Sequence, residues 1–302
     1  MSEKHLIRLP DGRQLCYAMF GAPLDVGTTT VVLAFHSTPG SRLKYRPADD
    51  DARVRNTTLI AIDRWAYGGT DAPADRAQQT LSNFADDIAV LLDELGITHL
   101  RCVGISGGGP YAAAIAAKFG TRVRRASLVA PVGLIRVVGE DGKPRTVPLS
   151  WFHQLCFRGI ARSPATTSAV FSAYKALLAV RGRAAIATAM AKSGPADRKL
   201  LDAPGVVDNL TDMMREGLSP GTKGPAIDLD IFGRPWDIDP RTISARTQLW
   251  FGDQDGSVPE TAINALCDQI PNAKTVHLKD QGHFWIATRF PEVLDWLISD
   301  DE

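Results

Sequence analysis

Leu100-Arg101-Cys102-Val103-Gly104-Ile105-Ser106-Gly107-Gly108 carries the most informative pattern in this sequence. Leu100–Ile105 is an apolar run of strand length, and the alanine-rich stretch 108–119 that follows is typical of a helix. A continuous apolar strand that passes through a tight glycine turn into a helix is characteristic of a parallel sheet with both faces covered. The pattern therefore predicts an α/β fold.

Other segments of the chain repeat this alternation. Short apolar runs predict further strands at Thr30–Phe35, Leu59–Ile62, Ala126–Val129, Thr247–Phe251 and Lys274–Leu278. Before them, segments 6–9 and 14–20 flank Pro10-Asp11-Gly12, a strong hairpin signal. Together these elements predict a doubly wound, mostly parallel sheet.

Helical patterns lie between the predicted strands. Apolar residues between Phe84 and Leu95 recur at helical spacing, with Ser82 as the expected N-cap and Gly96 just beyond the end. The last helix is expected at 291–299, with Pro291 at its first position, where the missing N–H costs nothing.

One long segment departs from the alternation. From 135 to 245 there is little strand signal, and helical patterns occur at 150–161, 166–193 and 205–217. We interpret 1–134 and 246–302 as the α/β core and 135–245 as an inserted helical cap, or lid.

Composition narrows the classes of protein to consider. The 302 residues carry 34 basic and 34 acidic side chains, so the net charge lacks the excess expected of a nucleic-acid binder. No apolar run approaches the roughly 18 residues that span a bilayer, and the first residues lack the apolar core of a secretory signal. We expect a cytoplasmic protein with no nucleic-acid or membrane partner.

Cysteine and histidine give no sign of a metal or a disulfide framework. The four cysteines are far apart with no C-x-x-C, and the six histidines show no paired ligand spacing. The sequence predicts no metal and no cofactor.

Gly104-Ile105-Ser106-Gly107-Gly108 also fits the pattern G-x-S-x-G, which points to a nucleophilic serine. A sharp strand-to-helix turn would hold Ser106 in a strained conformation and raise its hydroxyl above the sheet. The positive end of the helix would then face negative charge that develops there. A glycine-rich structural turn or phosphate loop is the alternative, but the lysine of a P-loop and the full G-x-G-x-x-G spacing are missing.

A serine nucleophile needs a histidine base and an acid, expected in the chain order Ser, Asp or Glu, His. Asp255 follows one predicted strand and His283 follows the next, so both belong at the carboxyl edge of the sheet. Asp253 competes with Asp255 for the role of the acid. The predicted catalytic residues are Ser106, Asp255 and His283.

These residues and their order resemble the α/β-hydrolase superfamily, over about residues 5 to 300. His36-Ser37-Thr38-Pro39-Gly40 is similar to the family's His-Gly-x-Pro-Gly segment, with Ser37 in place of the usual glycine. The resemblance implies that the backbone N–H groups of Thr38 and Gly107 form an oxyanion hole. It also makes His36, Ser37 and Phe284 candidates for substrate contact.

Two further segments bear on the substrate pocket. In 63–70, Trp65-Ala66 replaces the family's Pro-Gly pair, so Trp65 is either a pocket residue or a tryptophan packed on the surface. Gly224, Asp228 and Pro235-Trp236 resemble a bacterial subgroup of these hydrolases.

The neutral total hides an uneven distribution of charge. Residues 142–196 contain no acidic side chain and eight basic ones: Lys143, Arg145, Arg158, Arg162, Lys175, Arg181, Arg183 and Lys192. Such a segment either favours an anionic substrate or is a solvated basic surface.

The expected function is that of a serine hydrolase, a carboxylic ester hydrolase that cleaves a small-molecule ester through an acyl-enzyme. The expected partner is a small-molecule acyl substrate, anionic or carrier-bound. The same parts serve thioester, lactone, amide or C–C cleavage. A non-hydrolytic binder or synthase of the same fold also stays open.

Overall fold

The computed structural model describes residues 4–138 and 143–299. Its centre is an eight-stranded sheet, and two further short strands pair separately. The strands are β1 (His5–Arg8), β2 (Gln14–Gly21), β3 (Thr30–Phe35), β4 (Thr57–Ile62), β5 (Leu100–Ile105), β6 (Val123–Val129), β7 (Arg136–Val138), β8 (Pro144–Thr146), β9 (Arg246–Gly252) and β10 (Ala273–Leu278). The order in the large sheet is β1-β2-β4-β3-β5-β6-β9-β10, and β7 pairs with β8. All neighbours from β4 to β10 are parallel, while β1 and β2 are antiparallel additions.

Helices cover both faces of this sheet. They are α1 (Asp49–Val54), α2 (Leu81–Glu94), α3 (Gly109–Phe119), α4 (Trp151–Gln154), α5 (Pro164–Ser193), α6 (Pro195–Lys199), α7 (Val206–Gly217), α8 (Lys223–Phe232), α9 (Glu260–Cys267) and α10 (Ile286–Ile298). One apolar cluster joins the sheet to α2, α3 and α9, and a second joins it to α1 and α10. The prediction of a doubly wound, mostly parallel α/β fold is confirmed.

Two helix starts differ from the prediction. Helix α2 begins at Leu81, and its N-cap is Thr80, whose hydroxyl accepts the N–H of Asn83 at 3.2 Å, so Ser82 lies inside the helix. Helix α10 begins at Ile286 rather than at Pro291. It accommodates the proline because the backbone departs from helical geometry at Arg289, with φ −121°.

Between β6 and β9 the described residues form mainly helices. The longest, α5, is kinked at Gly182 (φ 27°), where the Arg215 guanidinium occupies the space beside the missing Cβ. Arg215 Nε and Nη2 both donate to the carbonyl of Leu178, at 3.1 and 2.9 Å, and so bind a carbonyl in the turn before the kink. No strand was predicted within 135–245, whereas the short strands β7 and β8 lie at the start of this segment.

This segment has its own apolar cluster, built from α5 and α7 and including Leu178, Met190 and Leu210. Phe284 and Ala287, from the chain just after β10, pack against it. Helix α8 instead packs Phe232 into the same cluster as α2 and α3. The division into core and cap therefore stays a prediction, with α8 closely joined to the core. In the described part of the chain, no helix is long and apolar enough to cross a membrane.

Candidate active site

The predicted site residues gather at one edge of the sheet. Thr38, Ser106, Asp255 and His283 each follow the carboxyl end of a parallel strand: β3, β5, β9 and β10 respectively. The chain runs from β3 to β4 on one side and returns to β5 on the other side of β3. Ligands of open α/β sheets bind at such a reversal, just beyond the carboxyl ends of the strands.

The turn at Ser106 has the strained conformation expected from the sequence. Ser106 has φ 53°, in the left-handed region that non-glycine residues rarely adopt. A Cβ at position 104 would overlap the carbonyl oxygen of Gly108, so only glycine fits there. The Val132 N–H donates to the carbonyl of Ser106 at 3.0 Å. Strand β5, the start of α3 and the chain after β6 thus fix this turn.

The structure brings His283 and Asp255 into direct contact. His283 Nδ1 lies 2.7 Å from Asp255 Oδ2. The second carboxylate oxygen, Oδ1, accepts the backbone N–H groups of Ser257 and Val258 at 2.8 and 3.0 Å. Asp253, the competing acid, is exposed instead. The geometry selects Asp255 as the partner of the histidine.

Burial and pairing act in opposite directions on these two groups. Burial lowers the pKa of His283, but the adjacent Asp255 carboxylate outweighs it and raises that pKa above its ordinary value. Burial raises the pKa of Asp255, and the charge and hydrogen bond of His283 outweigh this effect and hold it below its usual range. The pair therefore favours an ionised aspartate that orients the imidazole and stabilises its protonated form.

Ser106 lies at the same edge of the sheet, but it is not hydrogen-bonded to the histidine. In residues 4–138 and 143–299, no hydrogen bond joins Ser106 Oγ to His283 Nε2. Ser106 is partly exposed, so its hydroxyl is accessible. Hydrogen bonds between catalytic groups are often long without substrate and shorten in the complex.

Thr38 lies directly against Gly107. A Cβ at Gly107 would overlap Thr38 Oγ1 and approach the Phe232 ring, so glycine allows the two loops to meet. The N–H of Thr38 has no acceptor among the described residues. Gly107 stands in the first turn that leads into α3, where backbone N–H groups have no partner within the helix. Both residues implied as oxyanion donors therefore lie side by side.

The side chain of Thr38 is held by a cluster of buried polar residues. Asp228 Oδ2 accepts the hydroxyls of Thr38 and Tyr67 at 2.5 and 2.7 Å. Asp228 Oδ1 accepts Arg64 Nη1 and the Tyr111 hydroxyl at 2.5 and 2.7 Å. The Arg64 and Asp228 side chains are 0% and 1% exposed. We call Thr38, Arg64, Tyr67, Tyr111 and Asp228 the Asp228 cluster.

The placement of His36 and Trp65 argues against contact with a substrate. His36 is fully buried, its Nδ1 lies 2.7 Å from the Ser37 carbonyl, and its Nε2 accepts the Arg64 N–H. Burial and the Arg64 charge hold the pKa of His36 well below its ordinary value, so the ring is a neutral structural element. Trp65 is also buried, and its indole N–H donates to Asp87. Both buried side chains stabilise the loops that follow β3 and β4.

Ser37 and Phe284, the other two predicted contacts, are partly exposed. The Ser37 carbonyl accepts Arg64 Nη2 at 3.3 Å, so its backbone belongs to the loop scaffold. The Phe284 ring stands perpendicular to the His283 ring, with centroids 5.5 Å apart. Phe284 is thus well placed beside the histidine, and its contact with substrate stays a prediction.

Sequence reasoning missed Asp197 of α6. Its carboxylate accepts the backbone N–H of His283 at 3.1 Å and that of Phe284 at 2.9 Å. Burial raises the pKa of Asp197, and these two N–H groups partly offset that effect. Asp197 is 86 residues from His283 in sequence, and no motif links them. This contact fastens the predicted cap to the histidine loop.

His153 of α4 is a second missed residue. It is buried and stacks on Phe157, with ring centroids 5.1 Å apart. Burial and the nearby His283 lower its pKa to about 4, so it is neutral near pH 7. Ser150, just before α4, donates to the carbonyl of Ser257 at 2.9 Å. The predicted cap therefore also contacts the loop of Asp255.

The basic segment of the predicted cap makes several contacts of its own. Arg183 pairs with Asp208, and Lys175 Nζ donates to the carbonyl of Ser219 at 2.9 Å. The side chains of Arg158 and Arg162 lie outside the described part of the structure. Within the described ranges, no group of three or more His, Cys, Asp or Glu side chains could hold a metal ion.

Comparisons with known proteins agree with this fold. Residues 30–289 match the family model for the alpha/beta hydrolase fold. A putative 2-succinyl-6-hydroxy-2,4-cyclohexadiene-1-carboxylate synthase of Bacillus subtilis (strain 168) is 27% identical over 109 residues, which are 36% of this chain and 39% of that protein. The chain thus matches well under half the length of that curated relative.

Solved structures match over the full length. An esterase from Exiguobacterium antarcticum has a TM-score of 0.71 at 16% identity, covering 98% of this chain and 100% of that one. The enol-lactonase from Burkholderia xenovorans LB400 has a TM-score of 0.68 at 17% identity, with the same coverage. At such identities the likeness concerns the fold. Because the family model spans most of the sequence, the chain belongs to the alpha/beta hydrolase fold family.

Proposed function

We propose that this protein is a serine hydrolase that cleaves a small-molecule ester through an acyl-enzyme. The observation that carries the proposal is the 2.7 Å contact between His283 Nδ1 and Asp255 Oδ2 at the sheet edge where Ser106 has φ 53°. An aspartate that fixes the histidine through Nδ1 leaves Nε2 as the base for a serine hydroxyl. The strained turn presents that hydroxyl to the substrate.

In the first half-reaction Ser106 Oγ attacks the ester carbonyl, and His283 Nε2 takes the hydroxyl proton. Asp255 keeps the proton on Nδ1 and stabilises the imidazolium that forms. The N–H groups of Thr38 and Gly107 bind the oxyanion, and each such donor contributes on the order of 3 kcal/mol to the transition state. His283 then protonates the departing alcohol, which leaves the acyl group on Ser106.

The second half-reaction uses the same groups in reverse. His283 removes a proton from water, which attacks the acyl carbon. The oxyanion hole again stabilises the tetrahedral intermediate. Its collapse breaks the bond between the acyl carbon and Ser106 Oγ, protonated His283 returns its proton to Oγ, and the carboxylic acid is released. The N-terminal end of α3 adds a positive potential on the side where the oxyanion forms.

A panel of 4-nitrophenyl and thioester substrates tests the proposal. We expect release of the alcohol or thiol by wild type, and a loss of about 10³-fold or more in kcat for Ser106→Ala and for His283→Ala. Ser163→Ala is a matched control, because Ser163 caps α5 outside the site. Activity that survives Ser106→Ala would contradict the assignment of the nucleophile.

Lactone opening or a non-hydrolytic reaction is the second candidate. A putative synthase and an enol-lactonase are among the similar proteins, and they give this alternative its support. Reactions in water enriched in ¹⁸O separate the candidates. Hydrolysis of an ester or a lactone places one ¹⁸O atom in the new carboxylate, whereas a synthase reaction places none. Whether the alcohol departs or stays attached then distinguishes an ester from a lactone.

A further inference from the structure

A cavity of about 160 Å³ lies between the segment after β3, α7 and the start of α10. Ile105, the residue before Ser106, forms part of its wall, as does Ala287 just after the histidine loop. Val206 and Leu210 of α7 close it from the side of the predicted cap. The cavity is thus bounded by the strand that carries the nucleophile, the start of α10 and a cap helix.

Lys44 lines this mostly apolar cavity without a counterion. It is 9% exposed, and among the described residues its ammonium group has no hydrogen bond or ion pair. Burial lowers the pKa of Lys44 to about 8, and no neighbouring carboxylate offsets this effect. The stem of Lys44 is thus largely buried, while its ammonium group keeps contact with solvent at the cavity. A partly desolvated cation that lacks an ion pair is available to a ligand anion.

Other polar side chains also line the cavity, among them Asn209 of α7 and Asp51 of α1. Asn209 is buried, and its Nδ2 donates to the carbonyl of Lys44 at 3.3 Å, while its Oδ1 has no hydrogen bond. Asp51 is half-exposed, and its carboxylate faces Arg55 at 3.5 Å. A mostly apolar cavity lined by an ammonium group without an ion pair and by one buried carbonyl oxygen without a hydrogen bond is typical of a ligand subsite rather than of a packing void.

Lys44 is also electrostatically coupled to the catalytic pair. Its positive charge opposes that of protonated His283 and lowers the pKa of the histidine. An anion bound next to Lys44 would screen this charge close to the reacting groups. The proposed anion-binding group, Lys44, is thus close enough to His283 to influence its charge.

We propose that this cavity binds a carboxylate of the substrate through Lys44, which makes the protein selective for esters that carry a carboxylate. The predicted selectivity among esters rests on the proposed hydrolase function, whereas the binding of a carboxylate does not. One ammonium group matches one negative charge, whereas a phosphate dianion is usually held by several donors. The volume suits a short chain rather than a long acyl tail. Lys44 replaces the basic cap segment as the candidate determinant of anion selectivity.

Matched esters test the kinetic consequence. One pair, 4-nitrophenyl hemiglutarate and 4-nitrophenyl pentanoate, differs by a charge on the acyl chain. A second pair, the butyrate esters of 4-hydroxybenzoate and of phenol, differs by a charge on the alcohol. We expect wild type to prefer the anionic member of at least one pair by about tenfold or more in kcat/KM. Lys44→Met removes that preference, because kcat/KM falls about tenfold further for the anionic ester than for the neutral ester, which makes no ion pair with Lys44. The change in the pKa of His283 that follows loss of the Lys44 charge acts on both members of a pair alike.

Lys274→Met is the matched control. Lys274 is exposed and lies at the amino end of β10, whereas the proposed catalytic residues follow the carboxyl ends of the strands. It removes the same net charge and keeps the preference. The proposal is overturned if wild type prefers neither anionic ester, or if Lys44→Met lowers kcat/KM equally for both members of each pair.

A binding measurement separates this inference from the proposed function. Calorimetric titration of Ser106→Ala with pentanoate, and with pentanamide as its neutral counterpart, requires no turnover. We expect pentanoate to bind better than pentanamide, and the added Lys44→Met change to abolish the difference. Equal binding of both molecules to Ser106→Ala would overturn the carboxylate site even if the protein proves to be an esterase.

Discussion

His283 depends on the charges of three nearby residues. Asp255 and Asp197 raise its pKa, whereas Lys44 and burial lower it, and the outcome is a pKa above the ordinary value of 6.5. A general base must be neutral before it can accept the serine proton. The pH at which the enzyme becomes active therefore reports on this balance.

We predict that kcat/KM rises with pH through an apparent pKa above 6.5. A folded-state pKa above the unfolded value also means that the His283 pair stabilises the fold below about pH 6.5, and this contribution is lost as the pH rises through the folded pKa. The pH profile of kcat/KM on a neutral ester checks the first statement. A limb centred below pH 6 would show that Asp255 does not dominate the histidine.

Asp255→Asn isolates the role of the carboxylate. The amide keeps the size of the side chain but stabilises the wrong imidazole tautomer, so we predict a loss of about 10³- to 10⁴-fold in kcat. Asp253→Asn, on the exposed neighbour, is the matched control and should keep kcat within about twofold, because among the described residues no hydrogen bond or ion pair joins Asp253 to His283. Equal losses in both variants would refute the choice of Asp255.

Among the elements, the strands were predicted well and the helix starts less well. The predicted run Thr30–Phe35 coincides with β3, because a strand buried on both faces needs an unbroken apolar sequence. The start of α2 was misplaced, since both Thr80 and Ser82 are good capping residues and only the backbone distinguishes them. Pro291 was placed at a helix start because the kink that accommodates it has no signature in the sequence.

The N-cap of α2 gives a stability test at this scale. Thr80→Ala removes the acceptor of the Asn83 N–H, so we predict a loss of about 1 kcal/mol in the free energy of unfolding. Ser82→Ala, inside the helix, should change it by less than about 0.5 kcal/mol. Chemical denaturation of both variants provides the comparison. A larger loss for Ser82→Ala would support the start predicted from the sequence.

Helix α6 provides a second test, through Asp197. Asp197→Ala removes the acceptor of both the His283 and Phe284 N–H groups, which frees the histidine loop. We predict a fall of about tenfold or more in kcat, by misplacement of the catalytic base, with little change in KM. Asp202→Ala, an exposed acid in the turn after α6, is the control. Unchanged kcat in Asp197→Ala would show that the loop holds its position without the cap.

Over the whole molecule, several residues at the candidate site come from segments that are distant in the sequence and belong to no motif. The catalytic candidates were found because the chain order Ser, Asp, His and the strand ends constrain them. No common spacing links Lys44, Asn209 and Asp197, or joins Arg64, Tyr67 and Tyr111 to Asp228, and folding alone brings these residues together. The sequence also could not determine that the side chains of His36 and Trp65 are buried, because proximity to the site in sequence does not fix which way a side chain faces.

The Asp228 cluster links α8, α3 and the loops after β3 and β4. Asp228→Ala would leave Arg64 buried with no carboxylate, so we predict a loss of about 3–5 kcal/mol in the free energy of unfolding. Asp230→Ala, in the same helix but partly exposed, should cost less than about 1 kcal/mol. Equal unfolding midpoints for the two variants in urea would contradict this assignment.

Fluorophosphonate labelling followed by peptide mass spectrometry tests most directly whether Ser106 is an activated nucleophile. We predict one adduct per chain on Ser106 in the wild type, none in Ser106→Ala and a strongly slowed reaction in His283→Ala. An adduct on another serine, or a folded wild type that stays unlabelled, would contradict the account.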